Sequence, residues 1–156
     1  MTGDNKQLIR GVYDAFQRGD LDRLLQNLTD DFEWNAPGGA PFSGFRQGRE
    51  QMRAFFTELR RSVRFDQFDV DDILADGDKV VVIGRQRATV LETGRHFETP
   101  FAHVYTVRGG KLASGLALSD TQAAAACFGE STRERQALTG SLGVTHPAFS
   151  GPGTSE

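Results

Sequence analysis

A change in hydrophobic periodicity at Val63 restricts the folds open to this 156-residue chain more than any other feature. Upstream of it, apolar residues recur at the spacing of one helix face, and downstream they form strand-length runs. The turn dipeptides Asp76-Gly77, Thr93-Gly94 and Gly109-Gly110 divide the downstream half. Four strands are predicted there, over residues 63–74, 79–91, 95–107 and 111–119.

The upstream half is predicted to hold three helices and one short strand. The first helix ends at Gly19, Asp20 caps a short second helix, and the third helix follows Gly48. Residues 32–35 are predicted to form a strand between the second and third helices. Helices followed by a meandering sheet make an α+β domain, with the helices packed on one side of a mostly antiparallel sheet. If that sheet bends strongly around a long helix, it forms a cone-shaped α+β barrel whose mouth can hold a ligand.

Composition defines the extent of the domain and excludes several kinds of partner. The domain is predicted to span residues 1–128, and residues 129–156, rich in glycine, serine and proline, are interpreted as a C-terminal tail. A polar N-terminus and a single cysteine, Cys127, predict a cytoplasmic protein. The net charge of −3 argues against nucleic acid, and the apolar runs are too short for a membrane partner. Because ligand spacing and phosphate loops are lacking, we expect neither metal nor cofactor.

The last predicted hairpin carries the residues that first suggest a small-molecule site. Side chains alternate between the two faces of a strand, so one face here combines an acid, an imidazole and a phenol with apolar groups. Such a face is typical of a ligand pocket and is not needed by a plain core. Its predicted members are Phe101, His103, Tyr105, Ser114, Leu116, Leu118 and Asp120.

Strand alternation adds residues from two other strands to the predicted pocket. Glu33 and Asn35 would face inward from the first short strand, while Trp34 between them would pack in the core. Arg85 and Arg87 share one face of a long strand, and two like charges there require carboxylate partners. The pocket is therefore predicted to be polar as well as apolar.

Asp120 has two compatible interpretations. It stands directly before residues 121–124, where an aspartate is a good cap for the final helix. In the pocket, Arg85 would keep it ionised as a general base, while His103 and Asn35 would stabilise developing oxyanion charge.

Five segments occur in an order and spacing that resemble a known family: YDAFQRGDLDRLLQNLTDDFEWNAPG, ADGDKVVV, TGRHFE, HVYTVRGGKL and LSDT. From Gln7 to Phe128 the chain resembles the nuclear-transport-factor-2-like (NTF2-like) superfamily, specifically its SnoaL-like and ketosteroid isomerase-related members. The resemblance implies a cone-shaped α+β barrel that forms a homodimer through the outer face of its sheet. The residues predicted to make that contact are Ala102, Val104, Thr106, Ala113 and Ala117.

Steroid isomerases resemble this chain in layout but not in their functional residues. Ala36 stands where their base aspartate would be, and Val12 stands at their helix tyrosine. Tyr13 is one residue away and so turned aside by about 100°. His103 falls at or beside the third position, and a steroid isomerase is not expected.

Two other groups of enzymes resemble the chain more closely. Limonene-type epoxide hydrolases are matched at Asn35, Arg85 and Asp120, but Glu33 replaces their tyrosine and Arg87 their second aspartate. SnoaL-type polyketide cyclases are matched at Asp120, the position of their general base near the end of the last strand.

We therefore expect a cofactor-independent enzyme of secondary-metabolite biosynthesis, a lyase or isomerase that cyclises, dehydrates or isomerises a hydrophobic, oxygenated, polyketide-like substrate. Two alternatives stay open: a non-catalytic small-molecule-binding or accessory protein of the same fold, and an epoxide hydrolase with a rearranged Asp/Arg site. The expected catalytic residues are Asp120, His103, Arg85 and Asn35. The expected substrate-binding residues are Glu33, Arg87, Phe101, Tyr105, Leu116 and Leu118.

Overall fold

The computed structural model describes residues 2–128 and contains, in that range, four helices and six strands. The helices are α1 (Thr2–Arg18), α2 (Leu21–Gln26), α3 (Gly48–Ser62) and α4 (Thr121–Ala125). The strands are β1 (Leu28–Ala36), β2 (Gly44–Gln47), β3 (Val63–Asp76), β4 (Lys79–Val90), β5 (His96–Arg108) and β6 (Lys111–Ser119). The predicted tail, residues 129–156, lies outside the described residues.

The two long helices bury the apolar stripes that their periodicity predicted. Ile9 and Val12 of α1 lie in the same buried cluster as Met52, Phe55 and Leu59 of α3. Within each helix these residues are three or four positions apart, so they share one face. Within residues 2–128, no helix combines the length and the apolar character that crossing a membrane requires.

The six strands form one open, mixed sheet in the order β2-β1-β6-β5-β4-β3. Strand β1 runs parallel to β6, and every other neighbouring pair is antiparallel. The four predicted strands correspond to β3–β6, and Gly77 and Gly110 adopt the positive φ values of 61° and 77° that tight turns require. The predicted α+β fold, with helices on a bent and mostly antiparallel sheet, is confirmed. Edge strand β2 was not predicted, because the glycines and prolines around it indicate a loop.

A bulge in the β5–β6 hairpin decides which side chains of β6 face the helices. Thr106 pairs with Ser114, but the next residue, Val107, pairs with Leu112. Ala113 is therefore an extra residue on β6, with no partner of its own on β5. Because side chains alternate, one extra residue exchanges the two faces of the strand beyond it.

The bulge corrects the predicted pocket face of β6. Residues opposite one another on an antiparallel pair point to the same side. Opposite Phe101, His103 and Tyr105 the structure places Ser119, Ala117 and Gly115, respectively. The predicted inward residues of β6, namely Ser114, Leu116, Leu118 and Asp120, were therefore wrong by one position. Ala117, predicted for an outer dimer contact, faces inward instead.

Candidate active site

A cavity of about 130 Å³ lies between the helices and the concave face of the sheet. Its wall is mainly aromatic and aliphatic. Among the described residues that line it, there is no aspartate, glutamate, lysine or arginine. The side chains in the wall that can form hydrogen bonds are those of Tyr13, Trp34, Ser43, Gln86, His103, Tyr105, Ser119 and Thr121. A largely apolar cavity with a few convergent polar groups is the usual form of a small-molecule site.

Three of these polar side chains form one hydrogen-bonded network. The Tyr13 hydroxyl lies 2.5 Å from His103 Nδ1 and 2.7 Å from the Tyr105 hydroxyl. Tyr13 comes from α1, whereas His103 and Tyr105 are alternate residues of β5 and so point to the same side. The prediction that His103 and Tyr105 face the pocket is confirmed. The prediction that Tyr13 turns aside was wrong, because the buried face of α1 is wide enough to include both Val12 and Tyr13.

The direction of the hydrogen bonds in this network follows from which protons need an acceptor. The Tyr105 hydroxyl is buried, and Tyr13 is its hydrogen-bond partner among the described residues, so Tyr105 donates to Tyr13. We therefore assign the Tyr13 proton to the hydrogen bond with His103, in which Nδ1 is the acceptor. A neutral imidazole that accepts at Nδ1 carries its proton on Nε2. Nε2 has no hydrogen-bond partner among the described residues, and this N–H is left available to a ligand.

Burial keeps all three members of the network uncharged at neutral pH. Desolvation lowers the pKa of His103 to about 4, so the ring is neutral near pH 7. Desolvation also raises the pKa of Tyr13 and of Tyr105, with a further rise for Tyr13 from the neighbouring Tyr105. The network therefore supplies a neutral donor rather than a charge.

Aromatic rings hold His103 in place. The ring of Phe101 stacks on it with the centroids 4.5 Å apart, and the ring of Trp34 meets it edge-on at 5.6 Å. Trp34 reaches this position because Gly115 has no side chain: a Cβ there would lie 2.8 Å from Trp34 Cε3. Phe101 was predicted to contact the ligand. In the structure it is only 3% exposed and packs against the imidazole, so it supports His103 instead.

Trp34 lines the cavity and carries an unpaired donor. Its Nε1 atom is the one buried side-chain nitrogen or oxygen in the described part of the chain that lacks a hydrogen-bond partner. A buried polar atom without a partner costs free energy. Because this atom is closed off from the cavity, a ligand can reach it only if neighbouring side chains move. Trp34 was predicted to face away from the site. Its place in the wall follows from the pairing of β1 with β6, in which Trp34 stands beside Gly115.

The same pairing places Glu33 and Asn35 on the outer face of β1, contrary to the prediction. Both side chains are exposed, and Glu33 accepts a hydrogen bond of 3.4 Å from Gln47 Nε2. Trp34 takes the inward direction between them, because an inner face packed against helices favours the aromatic ring over a carboxylate. Neither Glu33 nor Asn35 lines the cavity.

Arg85 and Arg87 likewise lie on the outer face of the sheet. Arg85 Nε donates to Asp71 over 3.2 Å, and Asp69 lies at 3.9 Å, so its partners are carboxylates of β3. Arg87 is exposed. The predicted convergence of Glu33, Asn35, Arg85, Arg87, His103 and Asp120 on one cavity is therefore wrong. The inward residues of β4 are Val80, Val82, Gly84, Gln86, Ala88 and Val90, which leaves the arginines to the solvent side.

Asp120 is the N-cap of α4. Its Oδ1 accepts the Ala123 N–H at 3.0 Å, and its own N–H donates to Thr99 Oγ1 at 2.9 Å. The side chain is exposed and does not line the cavity, so the geometry supports the capping interpretation and not that of a base. Leu118 is 44% exposed on the outer face, and Leu116 shares that face, so neither contacts a ligand in the cavity.

Residues 2–128 contain no group of three or more histidine, cysteine, aspartate or glutamate side chains placed to hold a metal ion. The candidate site of this chain is thus the Tyr13–His103–Tyr105 network with Trp34. Tyr13 and Trp34 were not found from the sequence. The one available signal was that a tyrosine or tryptophan in an apolar stripe still needs a partner for its polar atom.

Comparisons with known proteins agree with this architecture. Residues 9–115 match the SnoaL-like domain family. An uncharacterized protein of Mycobacterium tuberculosis is 29% identical over 115 residues, which cover 72% of this chain and 86% of that protein. An NTF2-like protein from Burkholderia xenovorans LB400 has a TM-score of 0.78 and 29% identity, covering 83% of this chain and 98% of its own. TerC, co-crystallised with polyporic acid, has a TM-score of 0.71 and 25% identity, covering 80% of this chain and 97% of its own. The chain has the NTF2-like fold and belongs to the SnoaL-like domain family.

Proposed function

We propose that this protein is a cofactor-independent enzyme that promotes proton transfer in a hydrophobic, oxygenated small molecule. One observation carries the proposal: the Tyr13–His103–Tyr105 network occupies His103 Nδ1 and leaves Nε2 without a partner in a largely apolar cavity. With the tautomer assigned above, Nε2 is a neutral N–H donor. A carbonyl or enol oxygen is the ligand group that this donor fits. The crystallisation of TerC, a protein of similar structure, with polyporic acid supports a small-molecule ligand.

The chemistry follows from placing a fixed donor in a largely apolar cavity. When a carbonyl compound loses a proton from the adjacent carbon, negative charge develops on its oxygen. A preorganised donor at that oxygen stabilises the charge more strongly in a site of low dielectric than in water. Cyclisation, dehydration and isomerisation of such substrates all pass through enolate-like states.

The described wall contains no carboxylate, so the proton acceptor differs from the one expected from the sequence. Asp120 is engaged in capping α4 outside the cavity. We assign proton removal to water or to a basic group of the substrate itself. Such weak bases are sufficient for a substrate in which the C–H carbon is flanked by two carbonyl groups, because that proton is easily lost.

Deuterium exchange tests the proposal without knowledge of the natural substrate. A cyclic 1,3-diketone is incubated in D₂O with the protein, and loss of its C–H signal is followed by NMR. We expect the wild type to accelerate exchange, and His103→Leu, which has no hydrogen-bond donor, to reduce the protein-dependent rate by roughly 10²-fold, the usual cost of losing one oxyanion donor. His96→Leu is the matched control, since His96 is an exposed histidine on the same strand. Exchange at the same rate in His103→Leu would contradict the proposal.

A second candidate function, binding without catalysis, is favoured by the lack of any charged group in the described cavity wall. Trp34 is the single tryptophan of the chain and lies in that wall, so its fluorescence reports ligand binding directly. A diketone that changes Trp34 fluorescence and exchanges no faster than in buffer would identify a binding protein.

A further inference from the structure

A second, larger space lies beside the cavity, where the C-terminal ends of α1 and α3 meet the start of β3. We call it the outer chamber; its volume is about 910 Å³. Four partly buried phenylalanines line both spaces: Phe16, Phe56, Phe65 and Phe68. Around Phe16 the ring centroids are 5.2 to 6.0 Å apart. The cavity and the outer chamber thus share a wall of side chains.

The size of the inner cavity limits what it can hold. An apolar cavity of roughly 150 Å³ accommodates one benzene molecule, and the inner cavity measures about 130 Å³. It therefore takes a single ring or an unsaturated group of similar size. The rest of a larger ligand has to lie outside the inner cavity, and the outer chamber beyond the phenylalanine wall offers space for it.

The outer chamber carries positive charge that the described residues do not neutralise. Arg60 and Arg61, in the last turn of α3, line it and have no carboxylate partner among those residues. Arg64 also lines it but donates to Asp66 at 2.9 Å, and Asp66 is the one acidic residue of the described chamber wall. Two guanidinium groups are left for a ligand.

The guanidinium of Arg60 lies beside a glycine in the turn between α1 and α2. A Cβ on Gly19 would lie 2.7 Å from Arg60 Nη2, so the guanidinium is close to the backbone of Gly19. Gly19 has φ of 77°, a conformation that other residues rarely adopt. The Arg60 head therefore lies against the backbone at the chamber wall. A guanidinium presents paired donors that match the two oxygens of a carboxylate.

We infer that the ligand is an amphipathic carboxylate: an oxygen-bearing ring or unsaturated head enters the inner cavity, and an apolar linker leads to a carboxylate at Arg60 and Arg61. The inference rests on the proposed function of the inner cavity, because it takes the Tyr13–His103–Tyr105 network as the site of the head group. It adds a second recognition point, which selects acids over neutral molecules of the same shape.

Titrations with a synthetic series test the inference. The probes are 4-hydroxyphenyl-alkanoates from the propanoate to the octanoate, each beside its primary amide, and the readout is Trp34 fluorescence. We expect one linker length at which the carboxylate binds roughly tenfold more tightly than the amide, as for a hydrogen bond to a charged group. The double variant Arg60→Gln, Arg61→Gln should remove that preference and leave the affinity for the amide unchanged. Arg53→Gln on the same helix is the matched control, since Arg53 pairs with Asp22 and does not line the chamber.

Each other outcome is decisive. Equal affinity for acid and amide at every length would overturn the inference, and so would a preference that survives in the double variant. If diketone exchange still depends on His103, only the inference is lost and the proposed function stands. If no probe binds and no exchange is promoted, both are overturned.

Discussion

At the scale of single residues, the candidate site depends on polar atoms within apolar patterns. His103 and Tyr105 could be predicted, because alternation along β5 fixes their direction once the strand is identified. Tyr13 and Trp34 could not be placed in the site, since their spacing suits a core equally well. The structure distinguishes the two cases by hydrogen bonding: Tyr13 joins α1 to β5, and Trp34 Nε1 has no partner in the described chain.

Protonation of His103 links the stability of the protein to pH. Its pKa falls from 6.5 to about 4 on burial, so the unfolded chain takes up the proton at higher pH than the folded one. Stability is therefore lost as pH falls from about 6.5 towards 4, by about 2 kcal/mol at pH 5. Urea unfolding of the wild type and of His103→Gln near pH 7 and near pH 5 measures this difference. If both proteins lose the same stability over this range, His103 is not the group responsible.

At the scale of secondary-structure elements, the positions of the long strands could be predicted from the sequence, but the inward and outward faces of β6 could not. The turn glycines and the periodicity located β3–β6 correctly. A bulge of one residue, at Ala113, exchanges the inward and outward faces of β6 beyond it. The hydrophobic pattern does not indicate this bulge. Apolar side chains occur on both faces of this strand, so the pattern could not reveal the shift. The errors in the predicted site at Leu116, Leu118 and Asp120 have this one cause.

Gly115 is the residue of β6 on which the aromatic wall depends. In Gly115→Ala the new Cβ would lie 2.8 Å from Trp34 and 3.0 Å from Tyr105, so at least one ring must move. We expect a loss of roughly 1–3 kcal/mol in the free energy of unfolding, the usual cost of overpacking, together with a shifted Trp34 emission. Gly11→Ala is the control: its Cβ meets open space on α1, and helix propensity predicts a gain of up to about 1 kcal/mol. Unchanged stability and emission in Gly115→Ala would show that the rings do not pack as described.

Asp120 stabilises helix α4 by capping its N-terminus. We expect Asp120→Ala to reduce stability by about 1 kcal/mol through loss of the cap, and Asp120→Asn to reduce it by a few tenths. Neither change should alter the diketone exchange rate, because the side chain is exposed outside the cavity. Loss of exchange in the asparagine variant would restore Asp120 as a general base.

At the scale of the whole molecule, one cone-shaped fold separates an apolar interior from a charged exterior. The change of hydrophobic period at Val63 predicted helices packed on a mostly antiparallel sheet, and the family resemblance implied the cone shape. The size of the cavity and the wall that it shares with the outer chamber depend on how side chains from α1, α3 and the sheet meet, and no local pattern encodes that. The ionic residues predicted to be inward lie instead on the outer face, where Arg85 meets Asp69 and Asp71.

A homodimer through the outer face of the sheet stays a proposal. On that face Ile83 is 37% and Leu118 is 44% exposed, and the smaller Ala102 lies between them. Val104, two residues along β5, lies on the same face. We expect light scattering to give the mass of a dimer at micromolar concentration, and Leu118→Arg to give a monomer because it places a charge in the contact. A wild-type monomer at high micromolar concentration would contradict the proposal.

The central claim is that His103 is a neutral imidazole with its proton on Nε2, fixed by Tyr13. Long-range ¹H–¹⁵N NMR of the labelled protein reads the tautomer directly, and His103→Gln assigns the signal among the three histidines. Near pH 7 we predict an unprotonated Nδ1 and a protonated Nε2, with a shift at Nε2 when a diketone binds. In Tyr13→Phe the preference for this tautomer should weaken, since Nδ1 loses its donor. A ring protonated on both nitrogens near pH 7, or one protonated on Nδ1 alone, would contradict the account.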